Sequence, residues 1–315
     1  MKNVLFIGLN YHDYTTAIVK EIETQFGCHV DYVDIQPRSF SWNIIKVIFP
    51  RFFRYLLSRY HQYHFKKSSK ISYDVVFFLQ AHQVSDNNFV LLRTCHPKGK
   101  FILYNWDSLK NHNYLSKIDY FHRVVTFDPG DAESNNFEYL PLFCTRNLQS
   151  YKQADSTDIF MIGNVVKSAR LDAVNEFMKF CRSNGFFFKT HLRVSVYVLF
   201  RLLFLKYSVS NLHLRNASSE KIISFYESSS VVFDWANHEQ TGLTMRAVEA
   251  LGTGKKLITN CDYLRNSKYA EMGQVLVVDQ DYNFSSVNEF INSDNIYEPI
   301  TEFYIQNFIS RLFGG

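Results

Sequence analysis

Residues 240–252 bring a glycine, two threonines, an arginine and a glutamate into a short space. They follow residues 231–234, an apolar run that predicts a buried strand, and a helix is predicted to begin near Leu243 or Thr244. The start of a helix presents backbone N–H groups at the positive end of its dipole, and phosphate groups bind there. The pattern therefore predicts a diphosphate site in this loop.

Each polar residue of this stretch has an expected role. Gly242 lets the backbone approach the phosphates without a Cβ, and Thr241 and Thr244 offer hydroxyl donors. Arg246 falls in the first helical turn and can pair with a phosphate, while Glu249 can accept hydrogen bonds from a ribose diol. The other expected members of the binding stretch are Gln240 and Leu243. The alternative is an ordinary amphipathic helix with a capped start.

The elements around this stretch alternate between apolar strands and helices. Strand, helix and strand with short links predict a parallel α/β unit, and such units recur from residue 4 onward. Residues 158–164 repeat the opening pattern of the chain, which is an apolar strand, a glycine and a polar loop. The sequence therefore predicts an α/β fold with two Rossmann-like domains and a boundary in the polar stretch near residue 150.

Residues 241–259 resemble the donor motif of GT-B glycosyltransferases, which spaces a glycine, a Glu-Ala pair and a second glycine in the same way. The resemblance implies two Rossmann-like domains facing a central cleft, with an acceptor domain over 1–150, a nucleotide-sugar domain over 151–298 and a last helix, 299–315, crossing back. It implies transfer from a nucleotide-sugar donor to a bacterial surface glycan (lipopolysaccharide, O-antigen or capsule) or its lipid-linked form. By position, Glu249 would hold the ribose and residues 242–244 the diphosphate.

The chain departs from this motif at one position. Many retaining members carry a second glutamate eight residues before the ribose glutamate, and here that position is Thr241. Glu239 could substitute only if the loop bends differently. The departure puts a retaining mechanism in doubt and favours inversion.

A second loop, residues 162–170, also resembles a GT-B element. In that family the loop carries a glycine and a basic residue that face the donor phosphates, so Gly163, Asn164, Lys167 and Arg170 are expected at the donor. Lys167 or Arg170 would neutralise the departing diphosphate, although a solvated helix start explains either residue as well. GT-B enzymes typically need no metal, and we find no Asp-x-Asp triplet suited to Mg²⁺ or Mn²⁺. No cofactor is expected beyond the nucleotide-sugar substrate.

An inverting transfer needs a general base, which GT-B enzymes usually supply from the N-terminal domain. The candidates follow predicted strands, whose carboxyl ends form the binding edge of an open parallel sheet. Asp13 is preferred, with His12 and Asp107 behind it. His82 and Trp106 are expected on the acceptor side, where Trp106 would stack on a sugar, unless it serves only in packing.

Charge and composition limit the classes of partner. The net charge of +4 is too small and too dispersed for nucleic acid. Five widely spaced cysteines indicate free thiols, typical of the cytoplasm, rather than a zinc site or disulfides. Residues 41–70 are aromatic and basic, and 191–206 are apolar with three basic residues. For each segment the alternatives are contact with the inner membrane and core helices whose basic ends reach water; membrane contact is favoured for 41–70.

Two other functions use the same features. One is a GT-B-like sugar-nucleotide epimerase or hydrolase, which needs a donor site but no acceptor. The other is a non-catalytic scaffold of a glycan assembly complex. Nucleotide release that depends on an added glycan distinguishes a transferase from both.

Overall fold

The structure is a computed structural model that describes residues 1–11, 13–37, 39–149, 156–207, 211–236 and 241–314; of Phe40 and Asn43 it describes only the backbone. The chain divides into two compact units. Unit 1 comprises Met1–Pro141 and Phe308–Gly315, and unit 2 comprises Leu142–Asn307. The expected boundary near residue 150 adjoins residues outside these ranges and stays a prediction.

Unit 1 is built on a parallel sheet. Its strands are β1 (Asn3–Gly8), β2 (His29–Asp34), β3 (Val75–Leu79), β4 (Lys100–Asn105), β5 (Arg123–Thr126) and β6 (Glu138–Tyr139). Their order is β2-β1-β3-β4-β5-β6, and each neighbouring pair is parallel. Every residue of β3 is buried, as is typical of a parallel strand covered on both faces.

Helices connect these strands and complete the core of unit 1. They are α1 (Asp13–Phe26), α2 (Phe40–Ile48), α3 (Pro50–Ser68), α4 (Asp86–Cys95) and α5 (Pro129–Asn135), with a 3₁₀ helix over Leu115–Tyr120. The helical segment expected over 41–70 is therefore two helices. The break falls at Pro50, the first residue of α3, because proline suits the first helical turn but cannot continue a preceding helix. Phe65 of α3 and Phe89 of α4 pack in one cluster with Val76 and Phe78 of β3.

Unit 2 repeats the plan with a second parallel sheet. Its strands are β7 (Ile159–Val165), β8 (Phe188–Val194), β9 (Leu212–His213), β10 (Val231–Asp234), β11 (Lys256–Thr259) and β12 (Val275–Val277). The order is β12-β11-β10-β7-β8-β9, again parallel between neighbours. The helices are α6 (Ser168–Asn184), α7 (Val196–Phe204), α8 (Ser219–Ser228), α9 (Met245–Gly252), α10 (Lys268–Glu271) and α11 (Val287–Asn292). Two parallel α/β units confirm the predicted fold class.

The last helix, α12 (Ile305–Phe313), begins within unit 2 and ends within unit 1. Phe308 packs edge-on against Tyr104 of β4, with ring centroids 4.9 Å apart. Phe313 packs against Phe77 of β3 at 5.3 Å. Arg123 donates a hydrogen bond from Nη1 to the carbonyl of Leu312 at 2.8 Å. The end of the chain thus completes the core of unit 1.

Two glycines of the resembling motif have packing roles in unit 2. A Cβ on Gly252 would lie 2.6 Å from Cβ of Cys144, so only glycine allows that approach. Gly254 follows α9 with a φ of +70°, a conformation that side chains disfavour, and a Cβ there would overlap the carbonyl oxygen of Tyr297. These glycines position α9 against the rest of the unit.

Candidate functional site

The start of α9 meets the carboxyl end of β10 through Thr244. This residue is the N-cap of α9, and its hydroxyl oxygen accepts a hydrogen bond from the N–H of Ala247 at 3.1 Å. The same hydroxyl donates to Oδ2 of Asp234 at 2.9 Å. In this structure the hydroxyl hydrogen of Thr244 is directed to Asp234, and the expected contact of Thr244 with a diphosphate stays a prediction.

Glu249 faces the core rather than a ligand. Its side chain is 1% exposed, and Oε2 accepts a hydrogen bond from the hydroxyl of Tyr226 at 2.9 Å. Nη1 of Arg246 lies 2.5 Å from the same oxygen, and Nη2 lies 3.2 Å from Oε1. Residues three apart on a helix share a face, so the two charges of α9 neutralise each other. In this structure Arg246 and Tyr226 contact the Glu249 carboxylate, and the expected ribose contact stays a prediction. The Arg246 guanidinium has a carboxylate partner besides any phosphate.

Arg170, in the first turn of α6, joins the end of β7 to the residue that follows β10. The structure places Gly163 and Asn164 within β7, not in the loop that the sequence predicts for them. Its Nε donates to the carbonyl of Trp235 and its Nη1 to the carbonyl of Asn164, each at 2.7 Å. A Cβ on Gly163 would lie 3.5 Å from Nη1 of Arg170, an ordinary contact distance. The structure thus brings the two predicted donor loops together at one edge of the sheet, and Arg170 stabilises that edge.

Asp234 is a member of this edge that sequence reasoning missed. Its side chain is buried, which raises the pKa of its carboxyl, while Arg170, the Thr244 hydrogen bond and Arg246 oppose that rise. Burial in turn lowers the pKa of Arg170, and Asp234 opposes it. The available signal was its position as the last residue of a buried strand in a parallel sheet.

The charges at this edge cancel. Asp234 and Glu249 balance Arg170 and Arg246, so further positive potential must come from elsewhere. Lys167, at the N-cap position of α6, is exposed, and helix starts add partial positive charge.

The other predicted donor residues fall into three groups. Asn164 and Thr241 are exposed, whereas Gly242 and Leu243 are buried. Gln240 and Glu239 lie outside the described residues.

At the carboxyl edge of the sheet in unit 1, Trp106 belongs to an aromatic cluster. Its ring lies 4.5 Å from that of Tyr11 and 6.1 Å from that of Tyr14. Tyr11 comes from the loop after β1, and Trp106 directly follows β4. Trp106 therefore packs against other aromatic rings, and its stacking on a sugar stays a prediction.

Asp107 and His82 both contact His112, a residue that the sequence patterns did not select. Asp107 Oδ2 lies 3.4 Å from Nε2 of His112, and Oδ1 accepts from the N–H of Ser108 at 3.0 Å and from Asn111 Nδ2 at 2.7 Å. The His112 ring stacks on His82, with centroids 4.0 Å apart and planes 5° apart. The candidates were the residues that directly follow predicted strands, and His112 does not follow a strand directly.

The two histidines differ in their electrostatic surroundings. Burial, followed by the nearby charges of His112 and Lys46, lowers the pKa of His82 to about 4. His82 is therefore neutral at pH 7 and binds a proton weakly. His112, whose side chain is 42% exposed, faces the Asp107 carboxylate.

The preferred base, Asp13, is exposed and is the first residue of α1. A carboxylate there stabilises the helix through its dipole. Its catalytic role stays a prediction, and His12 lies outside the described residues.

Gln80 is a further polar residue of this edge, and its place directly after an apolar strand is visible in the sequence. It follows β3 with a φ of +70° and is 1% exposed. Within the described part of the chain, neither atom of its side-chain amide has a hydrogen-bond partner. A non-glycine residue in this conformation costs on the order of 1 kcal/mol, and such strain concentrates at functional sites.

Among the residues the structure describes, no group of three or more His, Cys, Asp or Glu could hold a metal ion. The chain does contain one Asp-x-Asp triplet, Asp279–Gln280–Asp281, just after β12. Asp279 Oδ1 accepts from Arg265 Nη2 at 2.6 Å, and Asp281 Oδ1 accepts from the N–H of Asn283 at 3.1 Å. Both carboxylates thus serve local structure.

No family model and no curated protein sequence matches the chain. Solved structures do match it over nearly its whole length. The apo form of the lipopolysaccharide outer core galactosyltransferase WaaB shares 14% identity, with a TM-score of 0.56 over 99% of each chain. The chain has the GT-B fold.

Two further solved structures share this fold. An alpha-glucosyltransferase in complex with UDP and a 13-mer DNA gives a TM-score of 0.59 at 11% identity, over 92% of this chain and 90% of the other. The UDP-GlcNAc 2-epimerase of Methanocaldococcus jannaschii, in complex with UDP-GlcNAc and UDP, gives 0.55 at 12% identity over 99% and 98%. Because these sequence identities are low, the similarity shows a shared fold and nothing beyond it.

Proposed function

We propose that the protein is a glycosyltransferase that moves a sugar from a nucleotide-sugar donor to a bacterial surface glycan such as lipopolysaccharide, O-antigen or capsule. One observation carries the proposal. The segment over 162–170 and the start of α9, each predicted separately to face the donor, meet at the carboxyl end of β10, where Arg170 donates to the carbonyl of Trp235 and Thr244 donates to Asp234. The UDP held by GT-B neighbours supports a nucleotide-sugar ligand.

The donor is proposed to bind through backbone groups and Lys167 at this edge. Gly163, within β7, has no Cβ to oppose a close approach, and Gly242 lies just before α9. Glu249 would hold the Arg246 guanidinium beside the phosphates. The proposed role of Glu249 is therefore to support the arginine rather than to bind the ribose. Charge on the leaving diphosphate is balanced by cationic side chains and helix starts, without a metal.

Transfer is proposed to invert the anomeric centre. The acceptor oxygen forms a bond to the sugar C1 while the bond from C1 to the diphosphate oxygen breaks, and the nucleoside diphosphate leaves with the electron pair. The acceptor hydroxyl proton passes to a base in unit 1. His112 is the best-placed group there, because its side chain is 42% exposed and the Asp107 carboxylate, 3.4 Å from its Nε2, can orient the ring. His112 thereby replaces Asp13 as first choice, and Asp107 becomes the residue that positions it.

The acceptor is proposed to be presented at the inner membrane. The side chains of Val47 in α2, Tyr55 in α3 and Phe49 between the two helices are 81%, 60% and 60% exposed. The opposite face of α3 is buried through Phe53 and Leu57, so packing accounts for that face and membrane contact is proposed for the exposed one. In the described parts of the chain, no helix is long and apolar enough to cross a bilayer. Contact through this surface would be peripheral and cytoplasmic.

The donor site is tested by a thermal-shift panel of UDP-, GDP-, dTDP- and CMP-sugars on the purified chain. A ligand at 100 times its Kd stabilises the folded state by about 2.7 kcal/mol, so one member of the panel should raise the Tm. Gly163→Ala has room for its methyl group, and it should keep the Tm without ligand but reduce the shift. A panel without any shift would contradict the donor site.

Turnover then separates the functions. A transferase releases nucleoside diphosphate only when a glycan acceptor is added, and His112→Gln should slow that release while leaving the donor-induced thermal shift intact. The GT-B neighbours include epimerases, so release or epimerisation without an acceptor would favour that alternative. Donor binding without any turnover would favour a scaffold.

A further inference from the structure

Positive charge is concentrated in two stretches of the chain. Residues 35–73 contain eight Lys and Arg and no Asp or Glu, and residues 186–219 contain five and again no acidic residue. The rest of the chain carries 21 basic and 30 acidic residues. The two acid-free stretches therefore hold a formal charge of +13, against −9 elsewhere. The first contains α2 and α3, and the second contains α7.

The helix α7 exposes an apolar face. The outward side chains are Val196 (56% exposed), Tyr197 (77%), Phe200 (67%), Leu203 (47%) and Phe204 (87%). Their spacing of one, four, seven and eight residues from Val196 places them on one side of a helix. The other side, with Val198, Leu199 and Leu202, packs on the core of unit 2. The helix α7 is thus apolar both on its buried side and on its exposed side.

Basic side chains lie among these apolar ones. Arg201 is within α7 and Lys206 follows it, and both are exposed. Across the described ranges, neither forms an ion pair with a carboxylate. An exposed apolar face with unpaired cations around it is the composition of a helix that lies in a membrane interface, with Phe and Leu in the acyl region and Lys and Arg at anionic headgroups.

We infer that α7 is a bilayer-contact helix, so that the nucleotide-sugar unit itself binds anionic lipid. The acid-free stretch decides in favour of a membrane, because an anionic bilayer supplies negative charge over an area without needing complementary shape. A second copy of this chain that docked through the same face would bring this acid-free stretch against itself, where like charges repel. The inference does not depend on the proposed reaction, since lipid binding is measured without substrate.

A local probe tests α7 separately from α2 and α3. Phe204→Cys, in a Cys95→Ser background that removes the least buried native thiol, is labelled with the environment-sensitive fluorophore NBD. Vesicles of POPC with 30% POPG should shift its emission to the blue. The matched control is Ile296→Cys, on a residue of the same unit that is 81% exposed but lies outside both stretches, and it should show no shift.

A second arm measures affinity by co-sedimentation with the same vesicles. Phe200→Ser with Phe204→Ser should lower the vesicle partition coefficient on the order of tenfold, whereas Met272→Ser with Ile296→Ser should leave it unchanged. Circular dichroism checks that each variant is folded. If the emission of the labelled Phe204→Cys variant stays unshifted while the protein sediments with vesicles, the inference is overturned. A blue shift that follows protein concentration without lipid would also overturn it, because it would assign the face to a second copy.

Discussion

The Arg246–Glu249 pair lies on one face of α9, closed off from water by the hydroxyl of Tyr226. Glu249→Gln keeps the shape and the tyrosine contact but leaves the Arg246 charge without its partner. Removing one member of a buried ion pair typically costs about 3 kcal/mol. We expect a loss of that order in the free energy of urea unfolding.

The control for this change is Glu227→Gln, an exposed glutamate on α8, which should alter stability by less than about 0.5 kcal/mol. If Glu249→Gln proves as mild as the control but weakens sugar-nucleotide binding, the original ribose assignment would be restored.

The orientation of such a side chain is what the sequence could not supply. Spacing placed Glu249 and Thr244 correctly on the helix after β10, but not their direction. A carboxylate with an arginine three residues earlier can turn to it or to a ligand. Gln80 illustrates the same limit, because nothing in a glutamine predicts a positive φ.

At the scale of elements, the C-terminal end of α9 depends on Gly254. Gly254→Ala would suffer twice, from its φ of +70° and from overlap with the Tyr297 carbonyl oxygen. Gly185, after α6, has a φ of +75° but open space around its Cβ position. We expect Gly185→Ala to cost about 1 kcal/mol and Gly254→Ala clearly more, by urea unfolding. Equal losses would mean that the Tyr297 segment yields without cost.

His61 fixes α3 to the end of β2, and it makes stability depend on pH. Its Nε2 donates to the carbonyl of Ile35 at 2.7 Å, and burial lowers its pKa from 6.5 to about 4. The folded state therefore resists protonation, and stability present above pH 6.5 is lost as the pH falls toward 4. At pH 5 the loss is about 2 kcal/mol.

His61→Gln retains a donor for Ile35 and removes the titration. Its unfolding free energy should change less between pH 7 and pH 5 than that of the wild type. The control is His29→Gln, with a side chain 65% exposed, which should keep the wild-type slope. An unchanged slope in His61→Gln would assign the pH dependence to other groups.

Most strands could be predicted because buried parallel strands are short apolar runs that end at a glycine or a polar residue. The patterns predict helices over residues 168–184 and 219–228, and these are the bounds of α6 and α8. The apolar run predicts a strand over residues 186–190, but β8 runs over Phe188–Val194. Three phenylalanines there mark an apolar segment without fixing its register, and an apolar run such as 191–206 does not reveal where a strand gives way to a helix.

At the scale of the whole molecule, the segregation of charge predicts a dependence on salt. The two acid-free stretches together carry a formal charge of +13, and the rest of the chain carries −9. Binding to POPG-containing vesicles should therefore fall on the order of tenfold between about 50 and 500 mM NaCl, because the Debye length shortens. Co-sedimentation measures this, with pure POPC vesicles as the control. Binding equal on both lipids at every salt concentration would leave only the apolar contribution.

The passage of α12 from unit 2 into unit 1 has a consequence for biosynthesis. Leu142–Asn307, 166 residues, are translated between the two segments of unit 1. At 5 to 20 residues per second this takes about 8 to 33 s. Until then, Tyr104 and Phe77 lack the rings of Phe308 and Phe313. The half of the protein that the ribosome makes first is therefore completed last, and in the interval its nascent sheet is a natural substrate for a chaperone.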